Sequence, residues 1–172
     1  KGENMGVPQK RHRVFFIGLR EDSDYDLYNL DMSFNYEPIP FGNVKEGCGA
    51  GLTEKIKTVF DHIKYGEKDL VSAWNRVYNP GKPEKRMWFN SIITYDDDVM
   101  QTVAGDHGQL FDYEQKAKVS DKSISNASTF PQDYDFGREK VAYICGMSVP
   151  PLMIKRIVTR LIESGLFDEK HS

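Results

Sequence analysis

Cysteine is scarce in this 172-residue chain, which has two, Cys48 and Cys145. Two thiols cannot staple a small secreted scaffold, and such usage fits a reducing, cytoplasmic compartment. No apolar run approaches the roughly 18 residues that a bilayer span needs, and no secretory leader is visible. No segment repeats and none is of low complexity. Charge of either sign is also in small excess: 23 basic residues stand against 26 acidic ones, a formal net charge of −3 at pH 7. Taken as an average, that argues against a polyanionic partner. With 39% hydrophobic and 28% charged residues, the chain has the make-up of an ordinary globular protein of one domain or two small ones. Membrane-spanning, disulfide-stapled and disordered classes are thereby excluded. The first residue is Lys1 rather than Met, which leads us to expect a piece of a longer reading frame.

The charge is unevenly spread. Residues 1–20 carry Lys1, Lys10, Arg11, Arg13 and Arg20 against Glu3, a local +4. Residues 21–50 sum to −6, residues 51–90 to +3, residues 91–120 to −4 and the remainder to zero. Two basic segments alternate with two acidic ones. Solvated faces of mixed sign would produce this, and so would a basic groove with acidic outer surfaces.

Elements can be placed coarsely. Residues 14–19, Val-Phe-Phe-Ile-Gly-Leu, read as a mostly buried strand. Residues 21–50, rich in Asp, Asn, Pro and Gly, read as loop. Thr53 can cap a helix whose Ile56, Val59, Phe60 and Ile63 share one face, with Gly66 placed to end it. Asn-Pro-Gly-Lys-Pro at 79–83 is a break. Residues 91–95 and 100–103 read as short strands around Asp96-Asp97-Asp98. Ser120 can cap a short helix reaching Ser128. Pro151 suits the first turn of a last helix, with Ile154, Ile157, Val158, Leu161 and Ile162 as its apolar stripe and Gly165 as its stop.

Three segments carry chemistry. Gly6-Val7-Pro8-Gln9-Lys10-Arg11-His12-Arg13 runs into the apolar stretch at Val14. Two arginines at i and i+2 entering a strand project to one side, where both guanidinium groups can serve one site. Alone, the pair could equally be a solubilising strand start. Ser128 to Phe136 is an aromatic-rich turn, and Gly146-Met147-Ser148-Val149-Pro150-Pro151 is a turn into a helix, where free backbone amides can hold a polar ligand. Gly105-Asp106-His107-Gly108, close to Asp96–Asp98 in sequence, has metal-ligand residue types. Turn formers explain it more simply, and no metal site is expected.

In this order the segments resemble the C-terminal half of the cytosine-5 DNA methyltransferases. Gly6 to Arg13 resembles that family's motif VIII, Val119-Ser120-Asp121-Lys122 through Phe130-Pro131 its motif IX, and Gly146 to Pro151 its motif X. Gln101-Thr102-Val103 resembles the signature near the end of the target-recognition region. Two departures stand out: Lys122-Ser123 where the family has Arg-Glu, and Gly146-Met147 where it has Gly-Asn.

The resemblance implies an α+β architecture. Residues 1–20 would be the motif VIII turn and strand, 21–118 a small mixed target-recognition domain with short strands and few helices, and 119–172 motifs IX and X with a C-terminal helix. The strand and last helix would complete a Rossmann-like α/β methyltransferase domain. It further implies that Gln9 and Arg11 brace the active site and that Arg13 reaches a flipped cytosine. Met147, Ser148 and Val149 would wall an S-adenosylmethionine pocket that lies mostly outside this chain. Basic and aromatic residues interleave at 74–89, so Arg76, Lys82, Lys85, Arg86 and Trp88, with Thr102, are the expected contacts to double-stranded DNA. The family's Pro-Cys nucleophile, Glu-Asn-Val and Phe-x-Gly-x-Gly do not occur in these residues. The expected partner is therefore an N-terminal catalytic domain or subunit carrying the Pro-Cys, and the chain alone is expected to be inactive. Part of the last helix's stripe should face that partner. No membrane is expected. The alternative is a non-catalytic DNA-binding or interaction module retaining the scaffold.

Overall fold

Ile56, Val59 and Phe60 bring three apolar side chains to one face after Thr53. In a computed structural model of the protein they seat helix α1 (Glu54–Phe60) on a small sheet. The structure describes every residue except 22–24, 27, 29, 86–89, 106–108 and 167–172. Helix α2 (Val71–Tyr78) follows, then strands β1 (Ser91–Thr94), β2 (Gln109–Asp112) and β3 (Ala117–Lys118). Helices α3 (Asp121–Ala127), α4 (Val141–Met147) and α5 (Pro151–Glu163) complete the order. The result is a mixed α+β fold with a three-stranded sheet, in which β1 pairs parallel with β2 and β2 antiparallel with β3.

Side chains alternate across a strand, so the two faces of this sheet feed two cores. Ile93 and Phe111, paired in register, join Phe60, Leu70 and Ala73 beneath α1 and α2. Leu110 turns the other way and packs with Val103, Ile124, Ala127 and Cys145 under α3 and α4. Complete burial of Phe111 alone contributes about 1.5–3 kcal/mol relative to exposure. A third cluster, Met5, Val7, Met153 and Ile157, ties the N-terminal turn to α5.

Several expectations hold. Ser120 is in extended conformation and its hydroxyl accepts from the Ser123 amide at 3.1 Å, capping α3. Residues 31–50 are irregular apart from a 3-10 turn at Phe41–Asn43. Gly165 follows α5 with φ +76°, whereas α1 stops at Phe60, short of Ile63 and six residues before Gly66, and Thr53 makes no side-chain capping hydrogen bond.

Others are corrected. Residues 14–19 form no strand, pair with none among the described residues, and are not mostly buried. Their exposure alternates instead. Phe15 packs toward the α5 cluster, while Val14 is 77% and Phe16 95% exposed. Residues 100–103 form no strand. They cross between the parallel strands β1 and β2, touching the N-terminal segment through one bridge from Met100 to Gln9. The α5 stripe, expected to be left exposed in part, is split: Ile157 is buried beside Met153, whereas Ile154, Val158 and Ile162 are exposed.

Residues Val141–Glu163 taken end to end are long and apolar enough, by length and composition, to cross a membrane. Residues 148–150 divide that run into α4 and α5, and Lys155, Arg156 and Arg160 put three cations on the second helix.

Candidate functional site

Arg11 is the point on which distant parts of the chain converge. Its side chain is 1% exposed, and burial, with Arg13 beside it, holds its guanidinium below the ordinary value. One terminal nitrogen donates to the Val103 carbonyl at 2.7 Å. The other donates to the carbonyls of Gly146 and, at 2.9 Å, Ser148. Arg11 thus clamps the crossover after β1 to the turn between α4 and α5. Gly146 makes that closeness possible. A Cβ there would run into the Gly105 backbone and lie 2.6 Å from the Ala104 carbonyl carbon.

Gln9 is fully buried and donates to the Ser128 hydroxyl at 3.1 Å, joining the N-terminal segment to the end of α3. Lys10 pairs with Asp98 at 2.6 Å, and Thr102, exposed, donates to the Lys10 carbonyl. Arg13 is half-buried. It gives one N–H to the His12 carbonyl and one to the Ser148 carbonyl at 3.1 Å, using two of the five donors a guanidinium carries. The structure therefore brings Gln9, Arg11, Arg13, Thr102 and Ser148 into one neighbourhood.

The turn at 146–149 has little polar capacity left for a ligand. Ser148 spends its hydroxyl and its amide on the Ile144 carbonyl, and its own carbonyl on the two arginines. Outward it presents Met147, 66% exposed, while half-buried Val149 packs against the Met5–Met153 cluster. Such a surface fits one apolar wall of a cofactor pocket and does not fit the charged end of an amino-acid cofactor. Neither cysteine is placed as a nucleophile on the described geometry: Cys145 is buried in the core and burial pushes its thiol up, and Cys48 lies on an exposed glycine loop.

The basic segment at 74–89 lies elsewhere, around the end of α2. Lys82 and Lys85 are exposed and carry no ion pair among the described residues. Arg76 has a local partner. Its guanidinium forks onto both Glu67 carboxylate oxygens at 2.7 and 2.6 Å, which raises its own pKa and lowers that of Glu67. Arg86, Trp88 and His107 lie outside the described residues.

Sequence reasoning missed two polar clusters. Lys45 bridges Asp96 and buried Asp112 at 2.5 and 3.2 Å. Burial works against that ammonium, but the two carboxylates outweigh it and raise its pKa. With Glu114, the two aspartates have the spacing of a metal cluster, yet Lys45 already supplies their positive charge. The second is an amide cluster formed by Asn75 and Asn79 at the end of α2. The only sequence signal for it is the i, i+4 spacing ahead of Pro80-Gly81.

Residues 1–163 match the family model for C-5 cytosine-specific DNA methylases. The chain is 24% identical over 184 residues to the type II methyltransferase M.BbvI of Brevibacillus brevis, an alignment covering 95% of this chain and 47% of that protein. It thus spans about half the length of the curated relative it matches. No solved structure gives a significant match.

Proposed function

Because this chain belongs to the C-5 cytosine-specific DNA methylase family, we propose that it forms the DNA-recognition and C-terminal portion of a DNA (cytosine-5-)-methyltransferase. The observation that carries this reading is the convergence on Arg11. The motif VIII turn, the end of the recognition-region signature and the motif X turn are joined there by one buried guanidinium. That clamp fixes where Arg13 starts, and Arg13 keeps donors for a ligand.

In the complete protein Arg13 meets the flipped cytosine or its phosphate, and its charge stabilises the negative charge that develops on the ring after thiolate attack. The attacking cysteine belongs to a catalytic portion outside these residues. S-adenosylmethionine supplies the methyl group, and here Met147 and Val149 give its pocket an apolar wall. Residues 21–118 form the target-recognition domain, with Lys82 and Lys85 on duplex DNA. Residues 1–20 and 119–172 complete the Rossmann-like catalytic domain, and the protein works in the cytoplasm.

The exposed Val14 and Phe16 and the exposed α5 residues Ile154, Val158 and Ile162 support a docking face for that catalytic portion. The test is the product. Duplex DNA incubated with the complete reading frame and S-adenosylmethionine, then digested to nucleosides, should contain 5-methylcytosine. Methylation at an exocyclic amine, or none, would overturn the reading in favour of a non-catalytic module.

A further inference from the structure

The basic loop after α2 is held by an amide clasp whose parts come from the helix and its C-cap. Asn75 donates through Nδ2 to the Val71 carbonyl at 2.9 Å and to the Lys85 carbonyl at 2.8 Å. Its Oδ1 accepts from the Lys85 amide at 2.9 Å and from Asn79 Nδ2 at 3.1 Å. A carboxamide has two donor hydrogens and two acceptor lone pairs, so this one is saturated. Buried Asn79 uses its second donor on the Pro83 carbonyl at 2.7 Å.

The two amides therefore grip residues 83 and 85, and the chain from Asn79 to Pro83 leaves and returns through a tight turn at Gly81, φ +69°. Both backbone groups of residue 85 are bound to one side chain, as they would be to a neighbouring strand. The loop's own residues contribute no side chain to this clasp. Lys82, Glu84 and Lys85 all stay exposed, over a recess of about 470 Å³ that Ser72, Asn75 and Asn79 help to line.

We infer that Asn75 and Asn79 are positioning residues for DNA recognition, which hold the 80–85 loop so that Lys82 and Lys85 meet the duplex in one fixed arrangement. The inference rests on the proposed assignment of this loop to DNA. Flexible lysines on a flexible loop would lose conformational entropy on every encounter, and a pre-set loop loses less. Saturation also excludes Asn75 from reading a base edge itself, because no donor or acceptor remains. The side chains left to contact DNA are those the clasp presents.

The test uses the complete methyltransferase and a pool of randomised 30-base-pair duplexes, followed by methyl-transfer kinetics. Asn75→Asp keeps the shape but replaces two donors with an acceptor facing two carbonyls. It should raise KM for duplex about tenfold, leave kcat within about twofold, and speed tryptic cleavage after Lys85. Lys85→Ala should raise KM several-fold in the parent but by less than about twofold in the Asn75→Asp background, because the two act as one unit. Asn75→Ala, which favours the helix, gives the same comparison should the aspartate variant fold poorly. If Lys85→Ala weakens binding while neither Asn75 variant does, the clasp has no part in recognition and the inference fails. If Lys82→Ala and Lys85→Ala themselves leave KM and its salt dependence unchanged, the assignment of the loop to DNA fails first.

Discussion

A buried arginine with three carbonyl partners is a costly residue to lose. Arg11→Met would fill most of the volume yet leave the carbonyls of Val103, Gly146 and Ser148 without their donor. The expected loss is roughly 3 kcal/mol or more, read as a shift in the denaturation midpoint. Arg11→Lys should not restore it, because an ammonium cannot fork onto three acceptors set by a planar group. Arg13 differs, since it is half-buried and has donors to spare. In the complete enzyme Arg13→Ala should lower kcat far more than it weakens duplex binding, and equal losses would mark a plain phosphate contact. At this scale the sequence was informative, for a reason that can be stated. Arg-x-Arg after Gly-Val-Pro-Gln names its residues by type and spacing. Arg76 looked equally available in the sequence, but its carboxylate partner Glu67 lies nine residues upstream, on a turn that nothing in the spacing predicts would fold back.

Among the elements, those with local signals were legible: α1 and α5 through apolar period and α3 through its Ser120 cap. Strands β2 and β3 were not anticipated, because β3 is two residues long and β2 takes its parallel partner β1 from eighteen residues upstream. The run at 14–19 shows how composition can mislead in an informative way. Its apolar side chains on both faces call for neighbours on both faces, and the described residues supply them on one. Phe16, 95% exposed, sits on the open side. Phe16→Asp should therefore change the stability of this chain by less than about 0.5 kcal/mol, as an exposed substitution does. In a pull-down the same change should abolish capture of the catalytic portion. A large drop in stability, or unimpaired capture, would mean the face is not a docking surface.

For the molecule as a whole, a net charge of −3 was the least informative number. The structure accounts for part of the cancellation: Lys10 is paired with Asp98, Lys45 with Asp96 and Asp112, and Lys116 with Asp61. Lys82 and Lys85 are outside that accounting. The N-terminal turn, the 100–105 crossover and the α4–α5 turn, distant in sequence, meet at one guanidinium, while Val14, Phe16 and one face of α5 stay uncovered among the described residues. Such an arrangement suits a portion that positions substrate for chemistry supplied from elsewhere. The central claim is tested most directly by complementation. Transfer of labelled methyl from S-adenosylmethionine to duplex DNA is measured with this chain, with the catalytic portion carrying the Pro-Cys, and with both mixed. The account predicts label at cytosine C5 only in the mixture. Label transferred by this chain alone, or no gain on mixing, would contradict it.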